Sequence, residues 1–75
     1  MTDEQECAII GFVLAVRALR EWRAKEDVYM SLRVKTPTEV EVRIQDCRIK
    51  ALAAMAECER AGVSPTLIVA VGVPL

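Results

Sequence analysis

Hydrophobic residues recur every three or four positions over the first third of the chain, which is the spacing of one face of an α-helix. They are Ile9, Phe12, Val13, Val16, Leu19 and Trp22. Thr2 and Gln5 precede them at the spacing of a capping box, in which each side chain hydrogen-bonds the backbone N–H of the other residue. Ile10 and Leu14 widen the apolar stripe, so the pattern predicts a helix over about residues 3–25 that needs more than one neighbour.

The next two segments alternate between apolar and polar residues. In residues 28–34 every second position is apolar, and in residues 39–45 the apolar positions 40, 42 and 44 are separated by polar ones. A period of two is typical of a half-buried β-strand. Pro37 lies between the segments, at a position that favours a four-residue turn. The alternation therefore predicts a β-hairpin.

A helical interpretation of the same region remains open. Thr36 and Glu39 also have capping-box spacing, with proline between them at the first helical position. Apolar residues then follow at intervals of 4-3-4-3-4, namely Val40, Ile44, Cys47, Ala51, Ala54 and Cys58. This interpretation predicts a long α-hairpin, but it leaves Val42 exposed and gives the first helix no stop signal. We take the β-hairpin as the expected structure and the α-hairpin as its alternative.

The last third of the chain predicts one more helix and one more strand. Asp46 can cap a helix, one face of which carries Ile49, Leu52, Ala53 and Ala56. Gly62 is suited to the left-handed residue that ends a helix, and Val63 to the apolar contact that accompanies it. Residues 66–73 are apolar on both sides and rich in β-branched side chains, which predicts a strand covered on both faces.

These elements predict one α+β domain over residues 1–75. The order is α-β-β-α-β, with a three-stranded sheet packed with two helices. The alternative is an all-α helical hairpin with an apolar C-terminal tail.

Composition excludes several stabilising or catalytic groups. The chain has three cysteines and no histidine, which is too few ligands for a zinc site and an odd number for disulfides. The three glycines, Gly11, Gly62 and Gly72, are scattered, so no phosphate-binding loop is present. General acid–base catalysis would lack its commonest residue. We therefore expect no enzyme activity, metal or cofactor.

Charge and hydropathy predict the compartment. The longest apolar runs are much shorter than the ~18 residues that suggest a membrane span. The first residues are acidic, whereas a signal peptide begins with basic ones. We expect a cytoplasmic protein with reduced thiols and no membrane partner. The net charge of −1 argues against nucleic acid as a partner.

The strongest candidate for partner binding is a basic stretch with one aromatic residue, formed by Arg17, Arg20, Trp22 and Arg23. Arginine beside an aromatic side chain is favoured at protein interfaces. The alternative is a solvated helix face whose tryptophan anchors the core.

Self-association is expected because a domain of 75 residues with 53% hydrophobic residues is marginally stable alone. A three-stranded sheet with helices on one face would leave apolar surface open, and a symmetric dimer is the commonest way to cover it. The residues predicted to be shared between subunits are Ile10, Leu14, Leu67, Val69 and Val71.

The expected function is regulatory or inhibitory binding to a protein partner, by a homodimer. The alanine- and arginine-rich composition suits a bacterial or phage protein. Two alternatives are a nucleic-acid-binding regulator that uses the arginine-rich helix face, and a structural subunit of a larger assembly.

Overall fold

A computed structural model describes residues 1–73, which form three helices. They are α1 (Asp3–Ser31), α2 (Thr38–Ala61) and α3 (Pro65–Gly72). Helices α1 and α2 form a long antiparallel hairpin, and the short α3 packs against both of them. Of the residues that the structure describes, 84% are helical and none lies in a strand. The α+β fold with a three-stranded sheet is therefore wrong, and the fold is all-helical.

The start of α1 is as predicted. The Gln5 N–H donates to the Thr2 hydroxyl over 3.2 Å, and the Thr2 N–H donates to the Gln5 side-chain oxygen over 3.0 Å. Both halves of the capping box are thus present. Asp3, Glu4 and Glu6 lie in the first turn, where negative charge interacts favourably with the helix dipole.

The end of α1 lies six residues beyond the predicted boundary. Arg33 adopts a left-handed backbone with φ 57°, and its N–H donates to the carbonyl of Met30. The next N–H, of Val34, donates to the carbonyl of Tyr29. This is the hydrogen-bond pattern of a Schellman motif. The stop signal was missed because arginine occupies a position that is usually glycine.

The period-two pattern of residues 28–34 does not mark a buried face. Val28, Met30, Leu32 and Val34 are all exposed, to between 52% and 67%. The alternation therefore falls on the last turn of α1 and on the loop that follows. Within residues 1–73 no neighbouring strand is present that would stabilise a β conformation. The intrinsic β preference of a segment is weak without such packing.

Helix α2 buries the 4-3-4-3-4 register of the helical interpretation. Val40, Ala51 and Cys58 are buried, and Ile44, Cys47 and Ala54 are half-buried. Val42 is 59% exposed, as that interpretation required. The predicted capping box is absent, because Pro37 is the N-cap and makes no side-chain hydrogen bond. The helix that we expected to begin at Asp46 is part of α2, and Asp46 instead forms an ion pair with Lys50 at 3.0 Å.

The contact between α1 and α2 joins large side chains to small ones. Phe12 and Leu19 of α1 have no exposed surface, and neither do Ala51 and Cys58 of α2. Small residues on α2 let the two backbones approach, so the large side chains of this interface come from α1. Full burial of a side chain such as phenylalanine stabilises a fold by about 1.5–3 kcal/mol.

The predicted strand over residues 66–73 is wrong, because this segment forms α3. Pro65 occupies the first helical position, where its fixed φ is suitable and its missing N–H is not needed. Ile68 is buried, and Leu67 and Val71 pack against the core cluster around Phe12. Packing of one helical face onto α1 and α2 thus overrides the β-branched composition.

A single glutamine connects the start of α1 to the turn between α2 and α3. Gly62 has φ 79° and, as predicted, provides the left-handed end of α2, with Val63 buried beside it. The side-chain amide of Gln5 donates to the carbonyls of Ala61 and Gly62, each over 3.1 Å. Two carbonyls at the end of α2 are thus hydrogen-bonded by a side chain of another helix.

The molecule is long and thin, measuring 46 × 18 × 13 Å. Its radius of gyration is 14.2 Å, against about 11 Å for a compact domain of this length. Twelve large apolar side chains are exposed and eight apolar residues are buried among those described. A hairpin one layer thick cannot cover its own apolar residues on every side.

We predict that Gln5→Glu lowers the free energy of unfolding by about 1–2 kcal/mol. A carboxylate retains the capping box but cannot donate to the Ala61 and Gly62 carbonyls. Urea denaturation followed by circular dichroism measures the effect. Gln45→Glu, at an exposed position of α2, is the matched control and should change the value by less than about 0.5 kcal/mol. Equal losses in both variants would show that the bridge contributes nothing.

Candidate functional site

The predicted partner-binding residues do not form one patch. Arg17 and Arg20 are exposed and lie together beside α3, where they line a groove of about 220 Å³ with Ala70 and Val71. Trp22 lines a different groove. Arg23 is half-buried. The structure thus separates the tryptophan from two of the arginines with which the sequence associates it.

Trp22 lies in a groove near the loop that joins α1 to α2, which we call the hairpin-end groove. It has a volume of about 460 Å³ and is lined by Trp22, Lys25, Val28, Tyr29, Pro37, Glu39 and Val40. Trp22 and Tyr29 are seven residues apart, two helical turns along one side of α1. The two aromatic rings and the proline ring give this groove a mainly apolar lining.

Two cations lie over the indole of Trp22. The Nζ of Lys25 is 4.1 Å from the ring centroid, and the Cζ of Arg43 is 5.8 Å from it. Cations at these distances are attracted to the negative face of the ring, by about 0.5–1 kcal/mol each where exposed. Lys25 and Trp22 both belong to α1, whereas Arg43 belongs to α2, so the Arg43 contact joins the two helices beyond the main core cluster.

Sequence reasoning missed Tyr29, Pro37 and Arg43 as neighbours of Trp22. The signal was the seven-residue spacing of Trp22 and Tyr29, which has meaning only if residue 29 is helical. Because residues 28–34 were assigned to a strand, the two aromatic side chains were placed on separate elements.

A second surface with an apolar centre lies on exposed positions of α1. Ile10 is 57% exposed and Leu14 is 55% exposed. Gly11, between them, has open space where a side chain would begin. Cys7 and Arg17 are exposed one turn before and one turn after this pair. We call the line of exposed residues that contains them the α1 outer strip. Its members are Asp3, Cys7, Ile10, Leu14, Arg17 and Glu21.

The residues predicted for self-association differ in their exposure. Ile10 and Leu14 are exposed in the α1 outer strip, and Val69 of α3 is 65% exposed. Leu67 and Val71 pack against the monomer's own core, so they are less available to another chain. Helix α2 carries an exposed apolar pair of its own, Ile49 at 57% and Leu52 at 43%, which the prediction omitted.

The three cysteines are free and differ in accessibility. Cys7 is exposed, Cys47 is half-buried and Cys58 is buried. Desolvation by burial raises the pKa of the Cys58 thiol, and the negative charge of Glu59 adds to the rise. Cys58 is thus held as a neutral thiol at neutral pH.

Residues 1–73 contain no group of three or more side chains that could hold a metal ion. None of the helices in this range is both long enough and apolar enough to cross a membrane. The sequence matches no protein-family model, no curated protein and no solved structure at a significant level.

We predict that thiol-specific alkylation modifies the cysteines in the order Cys7, Cys47, Cys58. The thiolate is the reactive form, and Cys58 is both buried and held protonated. Because burial raises the pKa of Cys58 by disfavouring the thiolate, the folded state should lose stability as pH rises above the ordinary thiol pKa. Peptide mass spectrometry after timed labelling at neutral pH measures the order. Labelling of Cys58 as fast as Cys7 in folded protein would contradict it.

Proposed function

We propose that this chain is a small protein-binding module that acts as a regulatory or inhibitory protein and works as a homodimer. The observation that carries the proposal is that twelve large apolar side chains are exposed, whereas eight apolar residues of any size are buried among those described. Soluble monomers rarely leave extended apolar patches exposed, and such patches usually mark interaction surfaces. The free cysteines fit a reducing compartment such as the cytoplasm.

The hairpin-end groove is the best candidate for the partner's contact surface. Tryptophan, tyrosine and arginine are the residue types that most often dominate binding energy at protein interfaces, and Trp22, Tyr29 and Arg43 lie close together here. The rings are fixed on a long helix, so they lose little conformational freedom on binding. A partner with an apolar side chain beside a carboxylate would complement both the rings and the two cations.

Nucleic acid is the second candidate, and Arg17 and Arg20 are the observation that favours it. They lie side by side on one surface of α1. Asp3, Glu4 and Glu6 place negative charge on the same helix, and the net charge is −1. A nucleic-acid interface normally needs a broader basic surface, so the protein-binding proposal is better supported.

The test is affinity purification from the native cells with quantitative mass spectrometry, in the presence of nuclease. We predict that a protein captured by the wild type is lost with the variant Lys25→Glu/Arg43→Glu. Arg48→Glu/Lys50→Glu makes the same charge change at exposed positions of α2 and should retain the protein. Circular dichroism verifies that both variants are folded.

Capture that both double variants retain would place the partner surface elsewhere. Capture that nuclease abolishes in the wild type would favour nucleic acid. An absence of any protein lost with the groove variant and retained by the control would contradict the proposal.

A further inference from the structure

We propose that two copies of the chain dock through their α1 outer strips, with the two α1 helices antiparallel and the two-fold axis passing between Ile10 and Leu14. The inference rests on the self-association in the proposed function and specifies which surface and which orientation form the dimer. Three features of the strip support it: its spacing, its exposed apolar centre, and the unequal distribution of charge along α1.

The members of the strip lie along one line of the helix surface. They follow one another at intervals of 4-3-4-3-4, and every one of them is exposed. Residues three and four apart are neighbours on a helix surface, so Ile10 and Leu14 form an apolar pair with polar residues on either side. The buried residues Phe12, Val16 and Leu19 use another side of α1, so the monomer leaves this pair uncovered.

The centre of the strip is apolar and sterically open. Ile10 and Leu14 are more than half exposed, and Gly11 beside them leaves room for close approach. In a two-fold arrangement, Ile10 would contact Leu14 of the partner subunit, and Leu14 would contact Ile10 of the partner subunit. Such an interface is self-complementary, as a closed dimer requires.

The charges of α1 favour the antiparallel orientation. Residues 3–7 carry three acidic side chains and no basic one, whereas residues 17–21 carry the exposed Arg17 and Arg20 and one glutamate. With the axis between Ile10 and Leu14, each acidic segment lies alongside the basic segment of the other copy. A parallel pairing would place the acidic segments together and the arginines together, which costs energy through like-charge repulsion. Glu21 near Asp3 of the partner subunit is the unfavourable pair, and it lies at the end of the overlap.

The arrangement leaves the hairpin-end groove accessible. The overlap extends from Asp3 to Glu21, and the groove begins at Trp22. The dimer would therefore present two grooves at its opposite ends. Variants in the groove and variants in the strip consequently test different surfaces.

The native Cys7 allows the orientation to be tested directly. In the antiparallel pairing, Cys7 lies opposite Arg17 of the partner subunit. Within one chain these positions are ten residues apart, about 15 Å along the helix, whereas a disulfide needs Cα atoms about 4.4–6.8 Å apart. A disulfide between positions 7 and 17 can therefore form only between two chains.

We predict that Arg17→Cys forms a disulfide-linked dimer under mild oxidation. Peptide mapping should show that the disulfide joins position 7 to position 17. The matched control Cys7→Ser/Arg17→Cys should give no such link. A Cys7–Cys7 link in the wild type would show a parallel pairing and overturn the inference, as would an absence of any link between positions 7 and 17.

Sedimentation equilibrium distinguishes two failures: a dimer that forms through a surface other than the α1 outer strip, and a chain that does not self-associate. The wild type should form dimers, and Ile10→Lys/Leu14→Lys should raise the dimer dissociation constant by at least about tenfold. Ile49→Lys/Leu52→Lys, which makes the same change on α2, should leave it within about twofold. Loss of the dimer only with the α2 variant overturns the strip as the interface while the homodimer stands. A wild type that stays at 8.3 kDa overturns self-association altogether, and partner binding through the groove is then judged by its own test.

Discussion

The close contact between α1 and α2 is the interaction on which the rest of the structure depends. Phe12 and Val16 are buried in one cluster with Ala51 and Cys58, which are small enough to let the helices approach. Helix α3 adds to this contact and does not replace it, since Ile68 and Val63 pack onto a cluster that already contains Phe12, Ala51 and Cys58. Gln5 then connects the start of α1 to the end of α2 by hydrogen bonds to the Ala61 and Gly62 carbonyls.

The same contact explains why the molecule has uncovered apolar surfaces. Two long helices side by side form a single layer, and α3, with eight residues, covers only part of one face. Ile10 and Leu14 on α1, and Ile49 and Leu52 on α2, therefore remain exposed. The proposed binding to other chains would cover these surfaces.

The N-terminal cap of α1, the C-terminal cap of α2 and the register of α2 could be predicted from the sequence, whereas the choice between helix and strand could not. Thr2, Gln5 and Gly62 have strong local preferences that the structure fulfils. The hairpin was harder to recognise, because alanine and cysteine give its interface little hydrophobic contrast, and because Val28, Met30 and Leu32 are apolar residues on an exposed surface. The end of α1 was not predicted because Arg33 adopts a left-handed conformation that is usually found at glycine. The hairpin-end groove could not be anticipated once Tyr29 was assigned to a strand.

Backbone carbon chemical shifts from solution NMR test the continuous hairpin most directly. We expect helical shifts from Asp3 to Ser31 and from Thr38 to Ala61, without interruption at Asp46 and with a break only in the loop between these two helices. Extended-type shifts across residues 39–45, with a new helix beginning at Asp46, would contradict it. That result would restore the β-hairpin and remove the basis of the hairpin-end groove.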